Sequence, residues 1–286
     1  MRALSKAVVD VIWAAAEPLL PRTPDRHRLG CHRRRVCDRL CLRGIVIRLV
    51  TGCSWETAEM ILDEAVSDTT LRTRRDEWAA AGVFGSLADE AIAAYDRIMG
   101  LRLGDVCVEG SIHKAPCGGP GTGKSPVDRS KTGWKWSLAT DAAGTPVAWA
   151  ADGANRHDTI LFEPTVAEIA RRGLHHDIDT VHLDRGYLGA RVDRAADKLG
   201  ITDIARPTKH RTADNDGPKP ANAPLGLRWT VERTNSWLSN FGQLRRNTDR
   251  RPEHRTAQLA LAVALLITAK LINHRNRWQP PPPPIH

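Results

Sequence analysis

The sequence predicts an α/β fold in which a mixed sheet with flanking helices is preceded by an all-helical region. Residues 1–100 place apolar side chains at helical spacing between Gly and Pro breaks. From Asp105 the pattern changes to short strands, first as a meander and then alternating with helices, which indicates a mixed sheet. With 41% hydrophobic residues, the 286-residue chain can bury a core. We expect a helical region over 1–100, an α/β domain over 101–275 and a disordered proline-rich tail over 276–286.

Five helices are predicted in the first region. Their approximate ranges are 7–19, 36–50, 54–62, 67–81 and 87–99. Ser54 and Ser67 are suited to N-caps because a serine hydroxyl accepts hydrogen bonds from free backbone N–H groups. The third and fourth helices favour a helix-turn-helix in which Arg72, Arg74 and Arg75 reach a nucleic acid. An ordinary helical hairpin with a solvated basic face is the alternative, and the pattern does not choose between them.

The second region alternates strands and helices. The expected elements are strand 105–109, a Gly-rich loop 117–133, a hairpin of 134–140 and 145–150, helix 158–172, strand 181–184, helix 188–199, strand 201–205, a mobile loop 206–226, helix 227–241 and an apolar helix 256–272. That last helix is about 17 residues long and contains Gln258 and Lys270, which favours a buried core helix over a membrane span. Trp134, Trp136 and Trp149 are expected to pack in the core.

Charge and cysteine usage limit the class of protein. The net charge of +9 favours a polyanionic partner, DNA or RNA first. Six cysteines form no CxxC pair and match no common zinc spacing, which favours reduced thiols. The N-terminal 20 residues predict an amphipathic helix rather than a signal peptide, because Asp10 interrupts the apolar run.

Three acidic residues are candidates for a metal site. Asp184 follows a short buried strand, Glu109 ends the first strand, and Glu232 lies on a helix one turn after Arg228. A carboxylate at the end of a buried strand needs a positive partner. Mg²⁺ prefers carboxylate oxygens, and two such ions about 4 Å apart can promote phosphodiester chemistry. Scattered surface carboxylates are the alternative on spacing alone.

A competing motif is the sequence GGPGTGKS at 118–125, which fits the phosphate-binding pattern GxxxxGK[ST]. Residues 111–117 separate it from the preceding strand, and no amphipathic helix follows it, as a nucleotide site requires. A basic loop that contacts DNA through Lys124, Arg129 and Lys131 is favoured instead. Residues 155–158 predict a helix cap at Asp158, with a ligand or general base as the alternative.

Five motifs in order resemble the DDE transposases, in particular the insertion-sequence-five family of bacterial mobile elements. They are 108–119 (VEGSIHKAPCGG), 125–130 (SPVDRS), 153–158 (GANRHD), 182–187 (HLDRGY) and 228–238 (RWTVERTNSWL). The resemblance covers residues 36–272. It implies an RNase H-like catalytic fold and metal-dependent strand cleavage and transfer at the ends of an insertion sequence.

The resemblance also implies roles for individual residues. Asp184 matches the second acid of the triad and Glu232 the third, while Glu109 stands where the family usually has Asp. The extra methylene displaces that carboxylate by roughly 1.5 Å, and a misplacement of this size can cost about a hundredfold in rate. A catalytically impaired or repurposed DNA-binding protein is therefore the second hypothesis, and a P-loop NTPase the third.

Further expectations concern cofactors and partners. The resemblance implies two Mg²⁺ or Mn²⁺ ions held by the three acids. It implies that the partner is double-stranded DNA, both at the terminal inverted repeats and at the target site. It also implies that the protein is a homodimer and that it does not bind a membrane. The resemblance implies that the protein is located in the bacterial cytoplasm and is associated with the nucleoid. The residues expected to contact DNA in the catalytic domain are Lys114, Lys124, Arg129, Lys131, Arg228 and Arg233.

Overall fold

The computed structural model describes residues 3–21, 35–206 and 227–278. The helices are α1 (Lys6–Ala16), α2 (Asp38–Thr51), α3 (Trp55–Ile61), α4 (Asp68–Ala80), α5 (Val83–Met99), α6 (Asp158–Arg171), α7 (Ala190–Asp197), α8 (Trp229–Ser239), α9 (Gly242–Arg245) and α10 (Pro252–Trp278). The strands are β1 (Asp105–Lys114), β2 (Gly123–Lys124), β3 (Thr132–Thr140), β4 (Pro146–Gly153), β5 (Thr180–Leu183) and β6 (Asp203–Ala205). The mobile loop predicted over 206–226 lies outside the described residues from 207 onward, and so does the tail predicted over 276–286 from 279 onward. The prediction of a disordered tail is wrong for residues 276–278, because α10 continues through them.

The N-terminal helices begin and end where their capping residues predict. The hydroxyl of Ser54 accepts a hydrogen bond from the backbone N–H of Thr57 at 3.1 Å, and Ser67 does the same for Thr70 at 3.3 Å. Gly52 ends α2 with φ of 74°, a left-handed conformation that favours glycine. Helix α5 begins at Val83, four residues earlier than predicted, because its first turn is also buried.

The sheet has a mixed strand order. Strand β1 pairs antiparallel with β3 on one side and parallel with β5 on the other, and β6 extends the sheet beyond β5 in parallel. Both β2 and β4 pair antiparallel with β3. Three long antiparallel strands followed by two parallel strands, with helices between them, give the RNase H-like fold that the resemblance implies.

Strand β1 is longer than the alternating pattern predicts. The prediction that Glu109 ends this strand is wrong, because pairing with β3 continues from Cys107 opposite Thr140 to Lys114 opposite Gly133. Glu109 therefore lies mid-strand, opposite Leu138. Its side chain is fixed to one face of the sheet by the pleat, since neighbouring residues point to opposite faces.

Two core layers cover the two faces of the sheet. One contains buried residues of the N-terminal helices, α8, α9, α10 and the tryptophans of β3, and the other contains α6 and α7. Trp134, Trp136 and Trp149 are buried, which confirms the packing prediction. Within the described part of the chain, α10 is the single helix whose length and mean hydropathy would allow a membrane span. Because 61% of its most apolar window is buried against the rest of the protein, the predicted core helix is confirmed.

Candidate active site

The three candidate carboxylates meet around one guanidinium group. The Nη1 atom of Arg228 lies 3.3 Å from Oδ1 of Asp184. Its Nη2 atom lies 3.5 Å from Oε1 of Glu109 and 3.5 Å from Oε1 of Glu232. The structure therefore brings together residues that are 48 to 123 positions apart in the sequence.

Each acid is placed by a different element. Asp184 follows the last residue of β5, the strand adjacent to β1. Glu109 projects from the middle of β1 toward α8, where the side-chain amide of Asn235 donates a hydrogen bond to its Oε2 at 3.4 Å. Glu232 lies in the first turn of α8, one turn after Arg228. A strand centre, a strand end and a helix start thus converge on one point.

Burial and charge set the protonation of Glu109. Its side chain is 18% exposed, against 43% for Asp184 and 54% for Glu232. Burial raises the pKa of Glu109 above its usual range, and the negative charges of Glu232 and Asp184 raise it further. Arg228 and the hydrogen bond from Asn235 oppose this shift without cancelling it. The site therefore has an excess of negative charge and favours an added cation.

The donor chemistry of this site fits a hard divalent cation. Three carboxylates with partial solvent access are ligands that Mg²⁺ prefers. Across the described residues, however, no three His, Cys, Asp or Glu side chains lie close enough to hold a metal ion in their present positions. The reason is visible in the contacts, because the guanidinium of Arg228 lies between the acids. The guanidinium of Arg228 occupies the position of a cation among the three acids, so the site accepts positive charge.

A fourth carboxylate packs against the backbone beside the site. A Cβ atom on Gly110 would lie 2.4 Å from Oδ1 of Asp158, and one on Gly186 would lie 2.7 Å from Oδ2. The buried Lys135 binds the same carboxylate at 2.9 Å. The predicted helix cap is shifted by one residue, because His157 is the N-cap of α6 and Asp158 is its first residue. Glycine is required at both positions because a Cβ atom would clash with the carboxylate of Asp158. Each of these glycines lies within two residues of a candidate catalytic acid.

Two of the arginines expected to contact DNA are buried. Arg74 is 8% exposed and Arg75 is 5% exposed. Arg74 binds Asp38 at 2.8 Å, and Arg75 binds Asp249 at 2.8 Å. The assignment of these two arginines to DNA is therefore wrong. They face inward because α4 packs against α2, α3, α5 and α10 and has little free surface.

Arg72 is the exposed arginine of this group. Its guanidinium lies 2.8 Å from Glu56 and 2.9 Å from Asp68. Helices α3 and α4 follow one another as predicted, and the chain between them spans residues 62–67. With Arg74 and Arg75 buried, α4 does not present the basic face that a recognition helix needs, and the hairpin alternative fits better.

Arg233 is also held in place by the protein. Its guanidinium donates a hydrogen bond to the carbonyl of Ala143 at 2.7 Å. It also lies 4.4 Å from the ring of Trp229 and 4.7 Å from the ring of Trp237. These contacts connect α8 to the β3–β4 turn, so Arg233 positions the helix that carries Glu232.

A basic groove begins at the far end of β1. It has a volume of about 510 Å³, and its basic lining residues are Lys114, Lys131, Arg245 and Arg246. All four are exposed. The sequence predicts DNA contacts at Lys114 and Lys131 but not at Arg245 and Arg246, although the run of arginines after α8 is a signal for them. Glu109 and Lys114 are five residues apart on β1, or roughly 17 Å, and their side chains leave the strand on opposite faces.

The glycine-rich loop is not a nucleotide site. Gly123 and Lys124 form the short strand β2, and the residues after Ser125 form turns before β3 begins at Thr132. The Ser125 hydroxyl accepts hydrogen bonds from the backbone of Val127 and Asp128. A phosphate site requires the N-terminus of a helix at this position. Lys124 and Arg129 are exposed on this loop, as a DNA-contacting segment requires.

Comparison with known proteins adds to the geometry. Residues 105–268 match the family described as "Transposase DDE domain". Residues 8–88 match the family described as "Putative transposase of IS4/5 family". A protein from Burkholderia cepacia described as "Putative transposase for insertion sequence element IS402" is 38% identical over 155 residues, which are 52% of this chain and 69% of that protein.

The solved structures to which this chain is similar include two of the Mos1 transposase. One is a paired-end complex with left transposon end, with TM-score 0.28 and 11% identity, covering 87% of this chain and 82% of that one. The other is a pre-cleavage transpososome, with TM-score 0.29 and 10% identity, covering 87% and 80%. At these scores the superposition carries no argument, and the fold assignment rests on the strand order.

Proposed function

We propose that this chain, which belongs to the DDE transposases of the IS4/5 group, uses Glu109, Asp184 and Glu232 as its catalytic acids. The observation that carries the proposal is their convergence on one guanidinium from three separate elements. The family acts on DNA and generally uses divalent metal ions. Two Mg²⁺ or Mn²⁺ ions, when bound, would supply an activated water or 3′-hydroxyl and stabilise the leaving oxygen.

The protein groups have separate tasks in this proposal. Glu109, Asp184 and Glu232 hold the cations. Asn235 orients Glu109 through its hydrogen bond, and Arg233 fixes α8 against the β3–β4 turn. Placing the acids on the sheet and on a packed helix keeps them within the small tolerance that phosphoryl transfer requires.

Double-stranded DNA is the proposed substrate, at the terminal inverted repeats of a mobile element and at the target site. The DNA backbone would run from the three acids along β1 into the basic groove. The distance of roughly 17 Å between these two places corresponds to about five base pairs at 3.4 Å each. Lys124, Arg129 and Arg72 are further exposed contacts. Because a mobile element has two ends, we propose a homodimer with one subunit at each end. The site of action would then be the bacterial cytoplasm, at the nucleoid.

The catalytic assignment is tested by cleavage of a duplex taken from the DNA that flanks this coding sequence. With Mn²⁺ or Mg²⁺, Asp184→Asn and Glu232→Gln should lower the cleavage rate by at least about 10³-fold, because each removes a metal-binding charge. Glu163→Gln is the matched control, since Glu163 is an exposed acid on α6 that binds Lys198. Wild-type rates in the first two variants would show that these acids are not catalytic.

The basic groove has its own test. Single Gln substitutions at Lys114, Arg245 and Arg246 should each reduce the slope of log affinity against log salt by about 1. Lys198→Gln, on the opposite side of the sheet, should leave the slope unchanged. Equal slopes in the groove variants and the wild type would place the DNA backbone elsewhere.

A further inference from the structure

The contacts of Arg228 differ from those of an ordinary surface arginine. One guanidinium is shared by three carboxylates, each at 3.3–3.5 Å. The group of four side chains carries a formal charge of −2 when all three acids are ionised. The Nε atom of Arg228 is buried and has no hydrogen-bond partner among the described residues. The negative charge of the acids is therefore not fully neutralised, and the hydrogen-bonding capacity of Arg228 is not fully used.

Nearby cations of the chain are engaged elsewhere. Arg233 is held by the carbonyl of Ala143 and two tryptophan rings. Lys135 is buried and binds Asp158. The positive charge within reach of Glu109 and Glu232 thus comes to a large extent from Arg228, which is 29% exposed and has a path toward solvent.

We propose that Arg228 is a displaceable counter-ion that occupies the centre of the acidic site until DNA arrives. In the DNA-free protein it competes with divalent cations. When DNA binds, a backbone phosphate takes the guanidinium, and the acids become available to the metal. The proposal rests on the proposed function, because it assumes that these three acids are the metal ligands.

Geometry excludes joint occupation of the centre. Carboxylate oxygens bind Mg²⁺ at about 2.0–2.1 Å. The same oxygens now lie 3.3–3.5 Å from guanidinium nitrogens. Contacts to a metal ion would therefore be shorter than the present contacts by roughly 1.2–1.5 Å, and the guanidinium has to leave the space between the acids. Repulsion between the two cations acts in the same direction.

The displacement has a natural acceptor. A guanidinium binds a phosphate through two parallel hydrogen bonds, which favours transfer of Arg228 from the acids to DNA. Metal and DNA then both favour the same displaced arrangement, so each raises the affinity for the other. The transposase is thereby loaded with metal mainly where DNA is present.

The test is a titration of Mn²⁺ into the full-length, DNA-free protein. Calorimetry measures the Mn²⁺ affinity, and thermal melting measures the melting temperature with and without Mn²⁺. Arg228→Gln should bind Mn²⁺ at least tenfold more tightly than the wild type, which corresponds to about 1.4 kcal/mol. Its melting temperature should be lower without metal and should rise more on adding Mn²⁺. Arg171→Gln is the charge-matched control, because Arg171 binds Asp89 and Glu168 away from the acids. Equal or weaker Mn²⁺ binding by Arg228→Gln overturns the proposal.

Two further variants separate the possible failures. Asp184→Asn should weaken Mn²⁺ binding at least tenfold, and wild-type affinity in this variant would refute the metal site itself. Arg228→Lys keeps the charge but reaches fewer carboxylates, so its affinity should fall between those of the wild type and Arg228→Gln. This variant also decides the matter if Arg228→Gln does not fold, because an affinity equal to or weaker than that of the wild type would then contradict the proposal.

Discussion

Two ion clusters in this protein have opposite compositions. Around Asp249 two arginines share one carboxylate, with Arg48 at 3.3 Å and Arg75 at 2.8 Å. Around Arg228 three carboxylates share one arginine. The first cluster is at most 8% exposed, whereas side-chain exposure in the second ranges from 18% to 54%.

The difference lies in burial and in the sign of the unbalanced charge. Asp249 also accepts a hydrogen bond from Gln258, and Arg48 and Arg75 lie over the ring of Trp55 at 4.2 and 5.3 Å. A cluster closed in this way holds α2 and α4 against the loop before α10. The cluster around Arg228 is open to solvent and short of positive charge, which suits a site that binds and releases cations. Deep burial among fixed partners suits a structural role, and solvent access with too little positive charge suits a cation site.

The largest effect expected from this comparison is on stability. Asp249→Asn should lower the free energy of unfolding by about 3–5 kcal/mol, because it leaves the buried guanidinium of Arg48 without a carboxylate and that of Arg75 with Asp76 alone. Denaturant unfolding measures this change. Asp193→Asn is the control, since Asp193 is 48% exposed and its pair with Arg206 contributes at most about 1 kcal/mol. A loss as small as in the control would mean that the Asp249 cluster is not structural.

The next effect is on catalysis. Glu109→Asp should raise the cleavage rate by up to about a hundredfold if the longer side chain misplaces the carboxylate. The hydrogen bond from Asn235 and the contact with Arg228 show that the chain accommodates the longer residue. A rate that falls in Glu109→Asp would show that the site is built around glutamate. The measurement is metal-dependent cleavage of the same DNA end, with unfolding curves as the control for folding.

A smaller effect concerns pH. The pKa of Glu109 is raised by burial and by the neighbouring acids, so the folded state binds its proton more tightly than the unfolded state. The stability this provides is present below the ordinary glutamate pKa and is lost as pH rises through the raised value. Glu109→Gln in metal-free buffer should therefore melt higher than the wild type at pH 7, by on the order of 2 °C. The difference should shrink as pH falls to about 4, and a constant difference would contradict the pKa shift.

The smallest effect is expected at Arg72. Its partners are exposed acids, so Arg72→Gln should change the free energy of unfolding by less than about 1 kcal/mol. Arg75→Gln, three residues away, should cost several times more because it breaks the buried pair with Asp249. Similar losses at both positions would remove the distinction between the two kinds of arginine. Urea unfolding of the two variants in one buffer gives the comparison.

Local signals predicted much of the fold. Ser54 and Ser67 cap their helices, and the 134–150 hairpin forms as its turn residues indicate. The length of β1 did not follow from local pattern, because the residues after Glu109 are polar or glycine apart from Ile112, and only pairing with β3 makes them a strand. Boundaries of this kind depend on partners distant in the sequence.

The site was predicted in part for the same reason. The convergence of Glu109, Asp184 and Glu232 followed from family motifs, whereas spacing alone left it undecided. The partner of Arg75 could not be predicted from local pattern, because Asp249 is 174 residues further along the chain. Helical spacing places Arg74 and Arg75 on the same face of α4 as Leu71 and Trp78, and all four side chains are buried.

The segment before α10 connects the two ends of the molecule. The backbone of Asn247 donates a hydrogen bond to the carbonyl of Lys114 at 2.8 Å, at the end of the strand that carries Glu109. Two residues later, Asp249 binds the arginines of α2 and α4. The helical region and the candidate active site are therefore held at a fixed offset, and neither can shift without breaking the contacts of this segment.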